Sequence, residues 1–252
     1  MKFEKFKVFV VNLKKDKNRK KHIINELKKQ SIRNYEIISA IDGNEFSLPE
    51  IISNTYQDNT GDNCWNIKMS PSQIGCALSH IKIYRNFIKT KYDYALILED
   101  DAIFLHNFKD KLKDFILQSF RYKKQIVLLS ELKQFYGKPL GQIEKYELVD
   151  VANAFFTHAY FINKAAAKSI ISFNFPVKTI ADNFIFFKIY CGIRITGINP
   201  FIVDQDKKNY KTTIILEKNN YKKIYLIKRT IYKLKLQVQK IFGSFKSHSK
   251  NI

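Results

Sequence analysis

Short apolar runs alternate along the chain with longer amphipathic stretches, and that alternation predicts an α/β fold with a mainly parallel central sheet. Residues Phe6–Leu13 form a β-rich apolar run that predicts a buried strand. Asp16–Gln30 follows with Ile23, Ile24 and Leu27 on one side and basic residues on the other, which is helical spacing. Tyr35–Ala40 predicts a second strand, closed by the turn-forming pair Asp42-Gly43. Residues 53–69 are polar and irregular, a loop or lid. Ser70-Pro71-Ser72-Gln73 then signals a helix start. Ser70 suits the N-cap, Pro71 the first helical position and Gln73 the capping box, and Ile74, Ala77, Leu78, Ile81 and Ile88 recur behind them at helical spacing.

Further along, Tyr94–Leu98 predicts a short strand that runs straight into Glu99-Asp100-Asp101. Phe108–Phe120 predicts a helix, Gln125–Leu129 a strand, and residues 133–147 a second polar stretch. Phe155–Ile162, Lys164–Ser172 and Ile193–Ile198 complete the pattern as strand, helix and strand. A catalytic-sized domain over residues 1–215 is expected, with a tail of different character at 216–252.

In that tail Ile224, Ile227, Ile231, Leu234, Val238, Ile241 and Phe245 fall three and four residues apart, a narrow helical stripe. Ten Lys and Arg against one acid between residues 217 and 252 surround it. A basic amphipathic helix of this kind fits an anionic membrane surface, and it equally fits docking on its own domain or pairing with a second copy as a homo-oligomer.

Composition narrows the classes. Hydrophobic residues at 45% and aromatics at 14% exclude a disordered chain. The 44 Lys and Arg against 23 Asp and Glu leave a formal charge of +21, which calls for an anionic partner: nucleic acid, a membrane surface or a phosphorylated ligand. Cys64, Cys76 and Cys191 are odd in number and lack a C-x-x-C pair, so neither a disulfide framework nor a zinc site is expected. With no signal-peptide pattern and no run of about 18 apolar residues, a cytoplasmic setting is expected.

Glu99-Asp100-Asp101 is the sharpest chemical signal. Three carboxylates at the carboxyl end of a buried strand are costly unless something neutralises them, and that end of an α/β sheet is where ligands bind. A hard divalent cation, Mn²⁺ or Mg²⁺, held there can clamp a diphosphate. Gly75 inside a helix implies close approach by a ligand or a backbone. Cys76 and His80 share a face of that helix, without further soft ligands at useful spacing. Asp182 opens a Phe-rich segment and is a candidate base or, alternatively, a helix N-cap.

Taken in order, Val11-Asn12-Leu13 with Arg19, Ala40-Ile41-Asp42-Gly43, Gly75-Cys76-Ala77-Leu78-Ser79-His80 and Leu98-Glu99-Asp100-Asp101 resemble glycosyltransferase family 25, the lipooligosaccharide galactosyltransferases. The resemblance continues through Ala159–Ile162, Pro176–Asp182 and Asn199–Val203. It implies a GT-A-like nucleotide-sugar fold. Asn12, Arg19, Asp42, Gly43, Gly75, Ser79, His80, Glu99 and Asp100 would bind the UDP-sugar donor. Asp101 with Asp100 would hold the metal, and Asp182 would act as the base of an inverting transfer of galactose.

The acceptor it implies is a lipid-anchored core saccharide at the inner face of the bacterial inner membrane. Nucleic acid is not expected, because no nucleic-acid-binding motif occurs and most aromatics lie in apolar runs. A nucleic-acid-binding protein is one rival reading, and a hydrolase pairing Glu99 or Asp101 with Asp182 is the other.

Overall fold

The computed structural model describes residues 6–56, 69–105, 110–210 and 245–247. A large mixed sheet forms the middle layer and helices cover both of its faces. At one side of the sheet, β1 (Phe6–Asn12) runs parallel to β2 (Tyr35–Ser39) and to β3 (Tyr94–Glu99). Next to β3 comes β9 (Ala159–Asn163), antiparallel both to it and to β5 (Gln125–Leu128). Parallel pairing resumes between β5 and β10 (Arg194–Asn199). Beyond them β8 (Tyr146–Asn153) lies antiparallel to β10, and both β6 (Gln134–Tyr136) and β7 (Gly141–Ile143) pair with β8. Separately, β4 (Ala102–Phe104) and β11 (Val203–Gln205) make a two-stranded ribbon.

Alternation along β1 shows how the layers are joined. Phe6, Val8 and Val10 face a core with Ile23 and Leu27 of α1 (Lys17–Lys29) and Ile116 of α4 (Asp110–Gln118). Phe9 and Val11 face the opposite core, with Ile83 and Phe87 of α3 (Pro71–Ile88) and Ala166 and Ile170 of α5 (Lys164–Asn174). Each apolar strand thus contributes to two cores. That explains why β1 and β3 read as continuous hydrophobic runs rather than as alternating ones.

The start of α3 follows its sequence signature. Ser70 Oγ accepts from Gln73 N at 3.3 Å, and Gln73 Oε1 accepts from Ser70 N at 2.9 Å. Other regions differ from expectation. Residues 133–147, a polar stretch with no predicted element, contain β6 and β7, short strands near the edge of the sheet with too little apolar content to announce themselves. The strand expected from Phe155 begins only at Ala159, because Phe156 adopts a left-handed backbone (φ 77°) and turns the chain. Two helices were not foreseen as such: α2 (Leu48–Asn54), and α6 (Phe184–Cys191) in the Phe-rich segment.

Of the irregular stretch 53–69, residues 57–68 lie outside the described residues. So does the basic tail apart from Phe245–Ser247, which form β12 against β6 and are strand rather than the end of a helix. Among the described residues no helix is long and apolar enough to cross a membrane.

Candidate active site

Because β1, β2 and β3 are parallel, their carboxyl ends share one edge, with Asn12 beside Ser39 and Val11 beside Glu99. A cleft of about 630 Å³ opens there. Asn12 and Arg19 line it from β1 and α1, Asp42 and Gly43 from the turn after β2, and Glu99 and Asp100 from the end of β3. Ser79 and His80 of α3 complete the wall, and Ser79 Oγ accepts from Ile41 N at 2.8 Å. Gly75 is not among the lining residues. It lies against backbone, where a Cβ would come within 2.5 Å of Gly43 N and 2.6 Å of Ile41 O. The close approach that Gly75 implied is therefore to the chain itself.

The acidic triplet divides between the two faces of the sheet. Asp100, buried, accepts from Asn12 Nδ2 at 2.7 Å and from Arg19 Nε at 2.6 Å. Arg19 Nη2 also donates to Asp101 Oδ2 at 2.9 Å. One guanidinium thus bridges both aspartates, and the Tyr210 ring packs 5.5 Å from it. Asp101 Oδ1 is buried and makes no hydrogen bond among the described residues. Burial, together with the charges of Glu99 and Asp100, pushes the Asp101 carboxyl up to about 7 against the pull of Arg19.

Glu99 points the other way, toward α3. Its carboxylate accepts from the Thr157 hydroxyl, and its Oε1 lies 3.5 Å from His80 Nε2. Burial alone would raise Glu99, but His80 and Thr157 hold it below the ordinary glutamate value. Behind it, His80 Nδ1 meets Tyr160 Oη at 2.8 Å, and that hydroxyl meets Tyr84 Oη at 2.7 Å. Cys76 Sγ joins His80 and Glu99, the three groups all within 4.8 Å of one another.

Asp182 reaches this region from the loop before α6. Asn174 braces that loop, accepting from Lys178 N and Thr179 N, both at 2.9 Å. Asn183, not Asp182, caps α6 through its side chain. The Asp182 carboxylate instead accepts from Phe156 N at 3.2 Å, and burial followed by the charge of Glu99 raises its pKa. It is not among the residues lining the cleft, but it lies close enough to Cys76, His80 and Glu99 to interact electrostatically.

Residues 5–185 match the family model of glycosyltransferase family 25 (LPS biosynthesis protein). The chain belongs to glycosyltransferase family 25. Among its relatives, mouse procollagen galactosyltransferase 2 is 23% identical over 180 residues, which are 65% of this chain and 27% of that protein. The procollagen lysyl hydroxylase and glycosyltransferase of Acanthamoeba polyphaga mimivirus is 27% identical over 219 residues, 80% of this chain and 23% of that one. The family 25 chain therefore spans about a quarter of the length of these two relatives. A solved Drosophila galactosyltransferase 7, in complex with manganese, UDP-Gal and xylobiose, is similar at a TM-score of 0.39 and 10% identity, covering 86% of this chain and 81% of that one.

Several groups of the family 25 site escaped the sequence reading. Thr157 bonds Glu99, Tyr160 bonds His80 and is held in turn by Tyr84, and Lys15 pairs with Asp42. Only the antiparallel register of β3 on β9, with Leu98 opposite Ala159, reveals that Thr157 falls beside Glu99.

The state of Asp101 gives a pH prediction. Its carboxyl is raised from 3.8 to about 7, so the folded chain binds a proton there that the unfolded chain has released. Stability from this group therefore declines as pH rises through that window. Asp101→Asn removes the titration, so the variant should gain stability relative to the parent between about pH 5 and about pH 8. Urea denaturation of both chains at the two pH values measures this. A stability difference that does not change with pH would contradict the buried, proton-holding carboxyl.

Proposed function

We propose that the chain is an inverting hexosyltransferase that moves galactose from UDP-galactose to a sugar of a lipid-anchored lipooligosaccharide or lipopolysaccharide core, forming a β-linkage. The observation that carries this reading is the cleft at the carboxyl ends of β1, β2 and β3, where Asn12, Asp42 and Asp100 converge from at or just beyond the ends of separate strands and Arg19 joins them from α1. That end of parallel strands is the usual ligand edge of an α/β sheet. The galactosyltransferase name of the mouse relative favours galactose.

In this reading Arg19 takes diphosphate oxygens and Asp42 takes hydroxyl donors of the nucleoside. Asp182 accepts the proton of the attacking acceptor hydroxyl. Its raised pKa makes it a stronger base than an ordinary aspartate.

The residues present also fit a divalent cation, Mn²⁺ or Mg²⁺. A single guanidinium faces Asp100 and Asp101, with Glu99 close by, and Asp101 Oδ1 is buried without a partner among the described residues. Asp101 and Asp100 would hold the ion. When bound, it supplies positive charge against the departing diphosphate.

The lipid anchor of the acceptor implies work at the cytoplasmic face of the bacterial inner membrane, with the basic tail resting on anionic lipid. Pairing of two tails in a homo-oligomer is the alternative use of the stripe.

The deciding experiment offers UDP-galactose, UDP-glucose and UDP-N-acetyl sugars with a core acceptor, in Mn²⁺ or in chelator. Acceptor-dependent release of UDP from UDP-galactose alone, lost in chelator, is expected. Equal release without acceptor would favour a hydrolase, and release from a different donor would replace galactose.

A further inference from the structure

We propose that Cys76, His80 and Glu99 form a binding site for a borderline-soft divalent cation of the zinc class in the wall of the cleft. The site stands on ligand geometry and does not depend on which sugar the chain carries. Their ligand atoms lie within 4.8 Å of one another, although Glu99 is 23 positions after Cys76 in the chain. Ligands about 2.0–2.3 Å from a tetrahedral zinc stand about 3.3–3.8 Å from each other, and the 3.5 Å between His80 Nε2 and Glu99 Oε1 is already in that range. All three residues line the cleft, so a cation among them would keep a face toward it, as three-ligand zinc sites do.

His80 supplies the second, independent observation. The residue is 1% exposed, and its Nε2 is buried without a hydrogen bond among the described residues. Its other ring nitrogen is committed to Tyr160 Oη at 2.8 Å, and Tyr84 holds that hydroxyl in turn. In the tautomer whose Nδ1–H donates to Tyr160, the Nε2 lone pair faces the Glu99 carboxylate. A lone pair and an anion at that distance need a positive charge between them. The outer bond from His80 to a fixed hydroxyl is also the arrangement that orients an imidazole for metal ligation.

The donor set selects the ion. One thiolate, one imidazole and one carboxylate favour zinc over Mg²⁺ or Mn²⁺, which suit the all-oxygen cluster of Asp100 and Asp101. Burial and the charges of Glu99 and Asp182 keep the Cys76 thiol protonated without a metal. Binding therefore forms an Sγ–metal bond and releases one proton from Cys76 to solvent.

Co²⁺, which takes the place of zinc and reports sulfur ligation, is the probe. In a full-length Cys64→Ser/Cys191→Ala chain, Cys76 is the only thiol left. Co²⁺ should then produce a near-ultraviolet thiolate-to-cobalt absorption that saturates at one ion per chain. Zn²⁺ should abolish it and Mg²⁺ should not.

Cys76→Ser in the otherwise natural chain should lose the band, and His80→Gln should weaken Co²⁺ binding by about tenfold or more. If the double variant fails to fold, X-ray absorption of zinc bound to the natural chain and to Cys76→Ser gives the same answer through its sulfur shell. A missing band, or sulfur ligation that survives Cys76→Ser, would overturn the site. Either result would leave His80 Nε2 facing the Glu99 carboxylate directly, with no ion between them.

Discussion

A single methyl group added at Gly43 is expected to cost the protein about 4 kcal/mol or more, among the larger effects a point substitution produces. The new Cβ would stand 1.7 Å from Pro71 O and 2.5 Å from Pro71 C. Both are backbone atoms in the first turn of α3, so no side-chain rotation relieves the overlap. The capping box at Ser70 and Gln73 pins that turn, and from the other side Gly75 presses its own backbone on Gly43 and Ile41. To make room, α3 would have to move away from the turn after β2, taking Ser79 and its bond to Ile41 N with it. In a chain of this size a loss of about 4 kcal/mol lowers the melting temperature by about 8–16 °C. Thermal unfolding of Gly43→Ala measures it. A melting point within about 2 °C of the parent would mean that the two backbones do not meet as closely as described.

Asp182→Asn is expected to do the reverse, leaving the fold intact and removing the chemistry. Transfer should fall by about 100- to 10,000-fold in kcat, the usual contribution of a positioned base, while KM for the donor changes little. The amide keeps the shape of the carboxylate and can still accept from Phe156 N. Because burial raises the Asp182 pKa, the charge is unwelcome there, and the variant should melt at or above the parent temperature. Full turnover in Asp182→Asn would remove it as the base. A loss of turnover accompanied by unfolding would point to a purely structural role.

What could be read in the chain alone follows from how local each signal is. The parallel strands announce themselves by apolar runs, and their ends fall where Asn12, Asp42 and Glu99 stand in sequence. The candidate donor residues are thus legible because the carboxyl ends of parallel strands assemble at one edge. The helix start at Ser70 is local too, since both halves of its capping box lie within four residues.

Partners distant in sequence are not legible. Arg19 reads as one more cation in a lysine-rich helix, and only the folded chain brings it to Asp100, 81 residues away. Asp101 was expected to hold a metal, and nothing local shows that the same guanidinium holds it as well. Nothing near Cys76 and His80 in sequence shows that Glu99, at the end of β3, comes to stand beside them. The acidic triplet divides because β3 ends at Glu99 and the two aspartates lie in the turn beyond it, and the identity of each side depends on which helix packs there.

The segment after β10 covers the carboxylate cluster. Val203–Gln205 pairs with β4, Asp206 N donates to Asp101 O at 2.8 Å, and Gln205 Nε2 lies 3.5 Å from Asp101 Oδ2. Tyr210 packs against both Arg19 and His22, six positions before the basic tail begins at residue 216. The family match ends at residue 185, yet the carboxylate cluster is closed by side chains some twenty positions beyond it. A fragment trimmed to the matched region would leave Arg19 and Asp101 without their cover.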